Sequence, residues 1–167
     1  MTRLVLNWED SEIPIKALAD QGLLFREFID LDVPELPADI SRFDDEDLME
    51  LFTRLTAYSN FLNTQLALAS IAEHNAEEHM DTTRSLALLE ANVTKTTKDT
   101  VTLLKARISS DKVVVASAKE FNAKHNYRKL VEVMVNNTER DITLLSRDLT
   151  RRTSNTQSST RSGRAVA

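Results

Sequence analysis

No cysteine occurs among the 167 residues. That excludes a disulfide framework, a thiol nucleophile and a cysteine-rich zinc site, and it fits a reducing compartment. Glycine and proline are almost as scarce: Gly22, Gly163, Pro14, Pro34 and Pro37 are all there are, and all lie outside residues 40–160. A compact sheet protein needs such residues to punctuate its turns, so the long unpunctuated middle points to long helices. No apolar run approaches the roughly 18–20 residues of a membrane span, and the N-terminus lacks a basic region followed by an apolar stretch. The expected location is the cytoplasm, with no membrane partner.

The net charge of −5 hides a polarity along the chain. Residues 1–52 carry 4 basic and 14 acidic side chains, residues 53–92 carry 2 and 5, and residues 93–167 carry 15 and 7. An acidic arm and a basic surface suited to nucleic acid follow from this division, or a basic face that pairs with the chain's own arm.

Residues 1–43 hold their apolar residues in short clusters: Leu4 to Leu6 with Trp8, then Leu23 to Phe25 with Phe28 and Ile29. A short strand or extended piece and one short helix are expected, broken by the Val33-Pro34-Glu35-Leu36-Pro37 segment. So many apolar residues mean that the arm docks on something. At Asp44 a capping residue and an acid-rich first turn open a long helix over 45–91. Its apolar residues recur near every 3.5 positions from Leu48 to Leu86, and at roughly 70 Å its seam needs a partner helix. Val93 to Thr100 reads as a loop and Val101 to Ile108 as a short helical piece. Ser109-Ser110-Asp111 then caps a second long helix to about Arg152. Its residues 116, 127, 138 and 149 are spaced by 11, which suggests a straight or slightly right-handed helix. Thr153–Ala167 has no acid and almost no apolar residue and is expected to be a disordered tail, cationic together with Arg147, Arg151 and Arg152.

Enzyme chemistry finds little support. His74-Asn75-Ala76-Glu77-Glu78-His79 resembles a helical zinc motif, but positions i and i+5 diverge by about 140°, so the two histidines do not converge on one metal. His125 reads as structural. The acidic runs are explained by caps and solvated surface, and no glycine-rich loop exists to cradle phosphate. Neither catalytic residues nor a metal or cofactor are expected. The basic set Lys95, Lys98, Lys105, Arg107 and Lys112 is the candidate nucleic-acid-binding group, continued by Lys119, Lys124, Arg128 and Lys129. Phe121 and Tyr127 are candidates for base stacking, although Tyr127 also fits the apolar stripe and reads as core.

The segment Ile108-Ser109-Ser110-Asp111-Lys112-Val113-Val114, opening a long helix that ends in a basic stretch, resembles the C-terminal half of the UvsY family of phage recombination mediators. Tyr58-Ser59-Asn60-Phe61-Leu62-Asn63 is similar to that family's aromatic run near the start of its first long helix. Leu104-Lys105-Ala106-Arg107-Ile108 resembles its DNA-contact motif, although in the family that motif lies well upstream of the Ser-x-Asp-Lys turn and here the two abut. The resemblance spans roughly residues 55–150. It implies a non-catalytic oligomer in the host cytoplasm that binds single-stranded DNA, works on a single-strand-binding protein and assists loading of a recombinase.

The expected fold is all-α: a long antiparallel helical hairpin over 44–152, coiled-coil-like, with a loosely packed acidic arm (1–43) and a disordered basic tail (153–167). Two helices do not enclose their own apolar stripe. Leu51, Phe52, Leu55, Tyr58 and Leu62, or the stripe around Met134 and Ile142, are therefore expected to meet another copy or the arm. The competing function is a structural or adaptor coiled-coil protein without nucleic-acid binding.

Overall fold

The computed structural model describes residues 3–5, 12–22, 28–30, 33–93 and 100–163, with side chains described over 15–22, 33–93 and 100–154. Two helices dominate, α2 (Asp45–Val93) and α4 (Lys112–Gly163), and they pack against each other as an antiparallel helical hairpin. Ahead of them stand β1 (Arg3–Val5), α1 (Glu12–Asp20) and β2 (Phe28–Asp30). Between them lies α3 (Val101–Ser110). The chain divides into two compact units: residues 1–6, 26–64 and 132–167 form one, residues 7–25 and 65–131 the other.

In the first unit β1 pairs antiparallel with β2, Leu4 opposite Ile29. The proline segment leads into a 3-10 turn, Ile40–Arg42. Asp39 caps it, accepting from the Ser41 amide at 3.1 Å and the Ser41 hydroxyl at 2.6 Å. These bonds hold the Asp39 carboxyl below its usual range. Asp44 then caps α2 through the Asp47 amide at 2.8 Å, as the acidic run implied. The core is Leu48, Leu55 and Leu145, packed by Leu36, Ile40, Phe43, Leu51, Phe52, Ile142 and Leu149. The arm's apolar residues therefore do dock, at least Leu36, Ile40 and Phe43.

Arg152 fastens this docking. It donates to the carbonyls of Phe43 at 2.7 Å and Ile40 at 3.0 Å, and to Asp148 at 2.8 Å and Asp45 at 3.2 Å. The Ile40 carbonyl already accepts from the Phe43 amide at 3.4 Å and gains a second donor here, and a planar guanidinium is shaped to serve several acceptors at once. Arg151 also donates to Asp148. These two arginines are therefore held within the fold and do not extend a flexible tail. The α4 backbone stays helical to Gly163, past the Arg152 boundary drawn from composition. Thr153 to Ser162 contains neither proline nor glycine, and the hydroxyls of Thr150, Thr153 and Ser154 bond back one turn.

The buried face of α4 is also more regular than its apolar residues alone suggest. Val114, Ser117, Val131, Val135, Thr138 and Leu145 are buried, with Phe121, Arg128, Ile142 and Leu149 partly so. These positions repeat every seven residues, whereas two members of the 11-residue series, Ala116 and Tyr127, are exposed. The 11-residue spacing mixed two faces, because Ser117 and Arg128 occupy seam positions without being apolar. A seven-residue repeat matches α2, where Leu48, Leu55, Leu62, Ala69 and Ala76 are all buried at the same interval.

In the second unit Gly22 ends α1 at φ +77°, a left-handed conformation that glycine adopts without penalty. Here the two long helices are joined by charge. Glu73 on α2 accepts from His125 at 2.6 Å and also binds Arg128, both on α4. Burial raises the Glu73 pKa, but the bonds from His125 and Arg128 and their charges outweigh it and leave the carboxyl below its ordinary value. His125 is thus structural, with Phe121 beside it at a ring separation of 5.9 Å.

Candidate functional site

Chemistry-bearing residues concentrate where α2 ends and α3 meets α4, all within the second unit. Thr100 caps α3 by accepting from the Leu103 amide at 3.3 Å, and only Leu104 of that helix is buried. Asp111 then serves two helices. Its amide donates to Ile108 O at 3.1 Å, closing α3, and its carboxylate accepts from the Val113 and Val114 amides at 2.8 and 3.2 Å, opening α4. One extended residue separates the helices, so the chain turns sharply without glycine.

Lys95 and Lys98 lie outside the described residues. Lys105, Arg107 and Lys112 are all exposed, but they do not form one cluster. Two positions apart on a helix means about 200° of rotation. Lys105 accordingly lines one cleft, while Arg107 lines another of about 230 Å³ with Ala87, Glu90, Ala91, Ile108 and Asp111. Two carboxylates share the surroundings of Arg107. Those of Lys105 are different: its cleft, about 630 Å³, is lined also by Arg84 of α2 and Lys119 of α4, over Leu88, Ile108, Val114, Val115 and Ala118. The structure thus groups Lys105 with Arg84 and Lys119. Arg84 carried no sequence signal, being one of two basic residues in the acidic stretch 53–92.

Tyr127 is 38% exposed, so it is surface and not core. The histidine pair also stays apart: His74 meets Glu78 at 3.5 Å on exposed surface. Among the described residues no group of three or more His, Asp or Glu gathers as a metal site would require. No described helix is long and apolar enough to cross a membrane.

The residues expected at an oligomer interface are mostly covered by the chain itself. Leu55, Tyr58 and Leu62 are buried, and Leu51 and Phe52 pack on the leucine core. The reason is that α4, together with the end of the arm, suffices to close this seam. Apolar surface is exposed elsewhere: Leu86, Leu89 and Val93 on α2, and Val113 and Leu130 on α4. Compared with protein-family models, with curated proteins and with solved structures, the chain finds no match in any of the three.

Proposed function

We propose that the protein is a non-catalytic, cytoplasmic recombination mediator of the UvsY kind. In this reading it binds single-stranded DNA through the basic side chains around the α3–α4 junction, remodels a single-strand-binding protein and assists loading of a recombinase. The observation that carries the reading is the density of exposed cations there, Lys105, Arg107, Lys112 and Lys119, beside an acid, Asp111, engaged in capping. Cations spread over several turns suit a phosphate backbone read without regard to sequence. The exposed α4 residues Val113, Ala116, Ala123 and Leu130 stand at heptad-like spacing and would join copies into an oligomer.

A titration of oligothymidylate against salt tests the reading. Binding is expected at about 50 mM salt, weakening with a log–log slope of about 0.7 per phosphate contact. Replacing Lys105, Arg107 and Lys112 by Ala should flatten the slope and leave helicity intact. No binding by the unaltered protein would defeat the mediator reading. The exposed leucines and valines favour a second reading, an assembly adaptor without nucleic-acid binding. It predicts concentration-dependent association by light scattering in the absence of any DNA affinity.

A further inference from the structure

We propose that the cleft formed by α2, α3 and α4 in the second unit docks an acidic peptide bearing large apolar side chains, presented by a partner protein. The ten residues lining it contain three cations, one from each helix (Arg84, Lys105 and Lys119), and no carboxylate. Arg84 pairs with Asp81 one turn earlier on α2 at 3.8 Å, with both side chains more than half exposed. The floor is aliphatic: Leu88, Ile108, Val114, Val115 and Ala118. Val114 is buried, but Leu88 is 45% and Val115 36% exposed. The floor is thus half covered by its own chain.

The chemistry of rim and floor selects the occupant. Positive charge alone would suit a nucleic acid. Single-strand binders, however, add aromatic platforms on which bases stack, and no aromatic side chain lines this cleft. A phosphate backbone laid across the rim would leave the aliphatic floor in water. A peptide places aspartate or glutamate against the rim and leucine-like side chains on the floor, so both halves of the surface are used. Apolar cover over the floor also lowers the local dielectric and strengthens the pairs at the rim. A volume of about 630 Å³ lies within the range of concave ligand sites and holds a few side chains rather than a helix. The cleft is in this sense a charge-complementary site for an acidic, apolar segment, and it draws on Lys105 and Lys119, two cations that the mediator reading also uses.

Fluorescence anisotropy on the full chain, with no nucleic acid present, tests this. The probe is a labelled peptide of aspartates and leucines, compared with one in which serine replaces every leucine. Burying even one leucine predicts at least about tenfold tighter binding of the leucine peptide. Lys105→Glu with Lys119→Glu should weaken it at least tenfold, as should Ala118→Glu, which puts a carboxylate into the floor. Arg140→Glu with Arg147→Glu, an equal charge change outside the cleft, should leave affinity within twofold. Circular dichroism on each variant confirms that the helices persist. Equal affinity for the two peptides would reduce the cleft to bulk electrostatics and overturn the proposal. So would absence of binding at about millimolar peptide. Displacement of the peptide by oligothymidylate, with DNA and peptide affinity falling in parallel in the cleft variants, would make it a nucleic-acid face and overturn it too. Loss of DNA binding alone touches only the mediator reading.

Discussion

The two units are built from the same pair of helices on the same seven-residue repeat, yet they close their seams differently. In the first, the repeat is filled by Leu48, Leu55 and Leu62 on α2 and by Val135, Ile142, Leu145 and Leu149 on α4, with Leu36, Ile40 and Phe43 added from the arm. In the second, the repeat continues through Ala69, Ala76, Val114, Ser117, Phe121, Arg128 and Val131, and Glu73 bridges the helices by charge. Its alanine, serine and arginine seam positions each bury less apolar area than a leucine would. It leaves Leu86, Leu88 and Leu89 in solvent, where the first unit exposes Met49, Val133, Met134 and Leu144. One repeat thus supports two roles, a unit that fixes the fold and a unit that presents surface.

The comparison is broken most directly by truncation. Leu55→Ala or Leu145→Ala removes a side chain with at most 1% exposure and is expected to cost about 2–5 kcal/mol in urea unfolding. Leu89→Ala, in the other unit, is expected to change stability by no more than about 0.5 kcal/mol. Similar losses at both places would mean that the second unit is packed as firmly as the first.

The same contrast explains what the sequence made legible. The caps at Asp44 and Asp111 and the α2 seam as far as Ala76 were readable because they depend on local hydrogen-bonding residues and on apolar spacing; Leu86, read as the seam's end, is exposed. The seam of α4 was misassigned because Ser117 and Arg128 sit in it, and apolar periodicity is blind to buried polar positions. The Arg152 clasp joins residues 109 and 112 positions apart, a separation that no local pattern encodes. Likewise, the basic set read along the chain placed Lys105 with Arg107, whereas helical rotation separates them and tertiary packing brings Lys105 to Arg84.

Glu73 gives the next largest effect and sharpens the comparison in the charged unit. Glu73→Gln weakens the bonds to His125 and Arg128. Because the His125 side chain is 40% exposed, solvent screening limits the cost to about 1 kcal/mol. The folded-state pKa of Glu73 lies below its ordinary value of 4.5, so its contribution is fully present above that value and is lost as pH falls through the lowered one. The stability gap between the unaltered protein and Glu73→Gln should therefore close as pH falls below the ordinary value of 4.5 and through the lowered one. A gap that stayed open once the carboxyl is protonated would contradict the bridge.

In the first unit, Arg152→Ala should act locally. The carbonyls of Ile40 and Phe43 lose the guanidinium as a donor, so amide exchange should accelerate at Leu48, whose donor bond to Asp44 begins α2. Amides near Glu73 should be unaffected. Arg152→Lys keeps the charge but loses the fork that serves several acceptors, and should restore only part of the protection. Acceleration spread evenly over both units would show that the arginine matters globally and not as a clasp for the arm.

The smallest expected effect is at Leu86 and Leu89, where the sign carries the information. Both are more than half exposed, at 56% and 62%. Replacing both with Gln removes no contact that the single chain makes in its core, so unfolding free energy should move by no more than about 0.5 kcal/mol. If instead the double variant loses markedly more, the leucines are covered in solution by another copy. In that case the loss must grow with protein concentration, since association stabilises only the folded form that self-associates. Unfolding measured at two concentrations a hundredfold apart separates these outcomes. A concentration-independent loss would contradict both and would mean that the second unit holds a core the exposed leucines belong to.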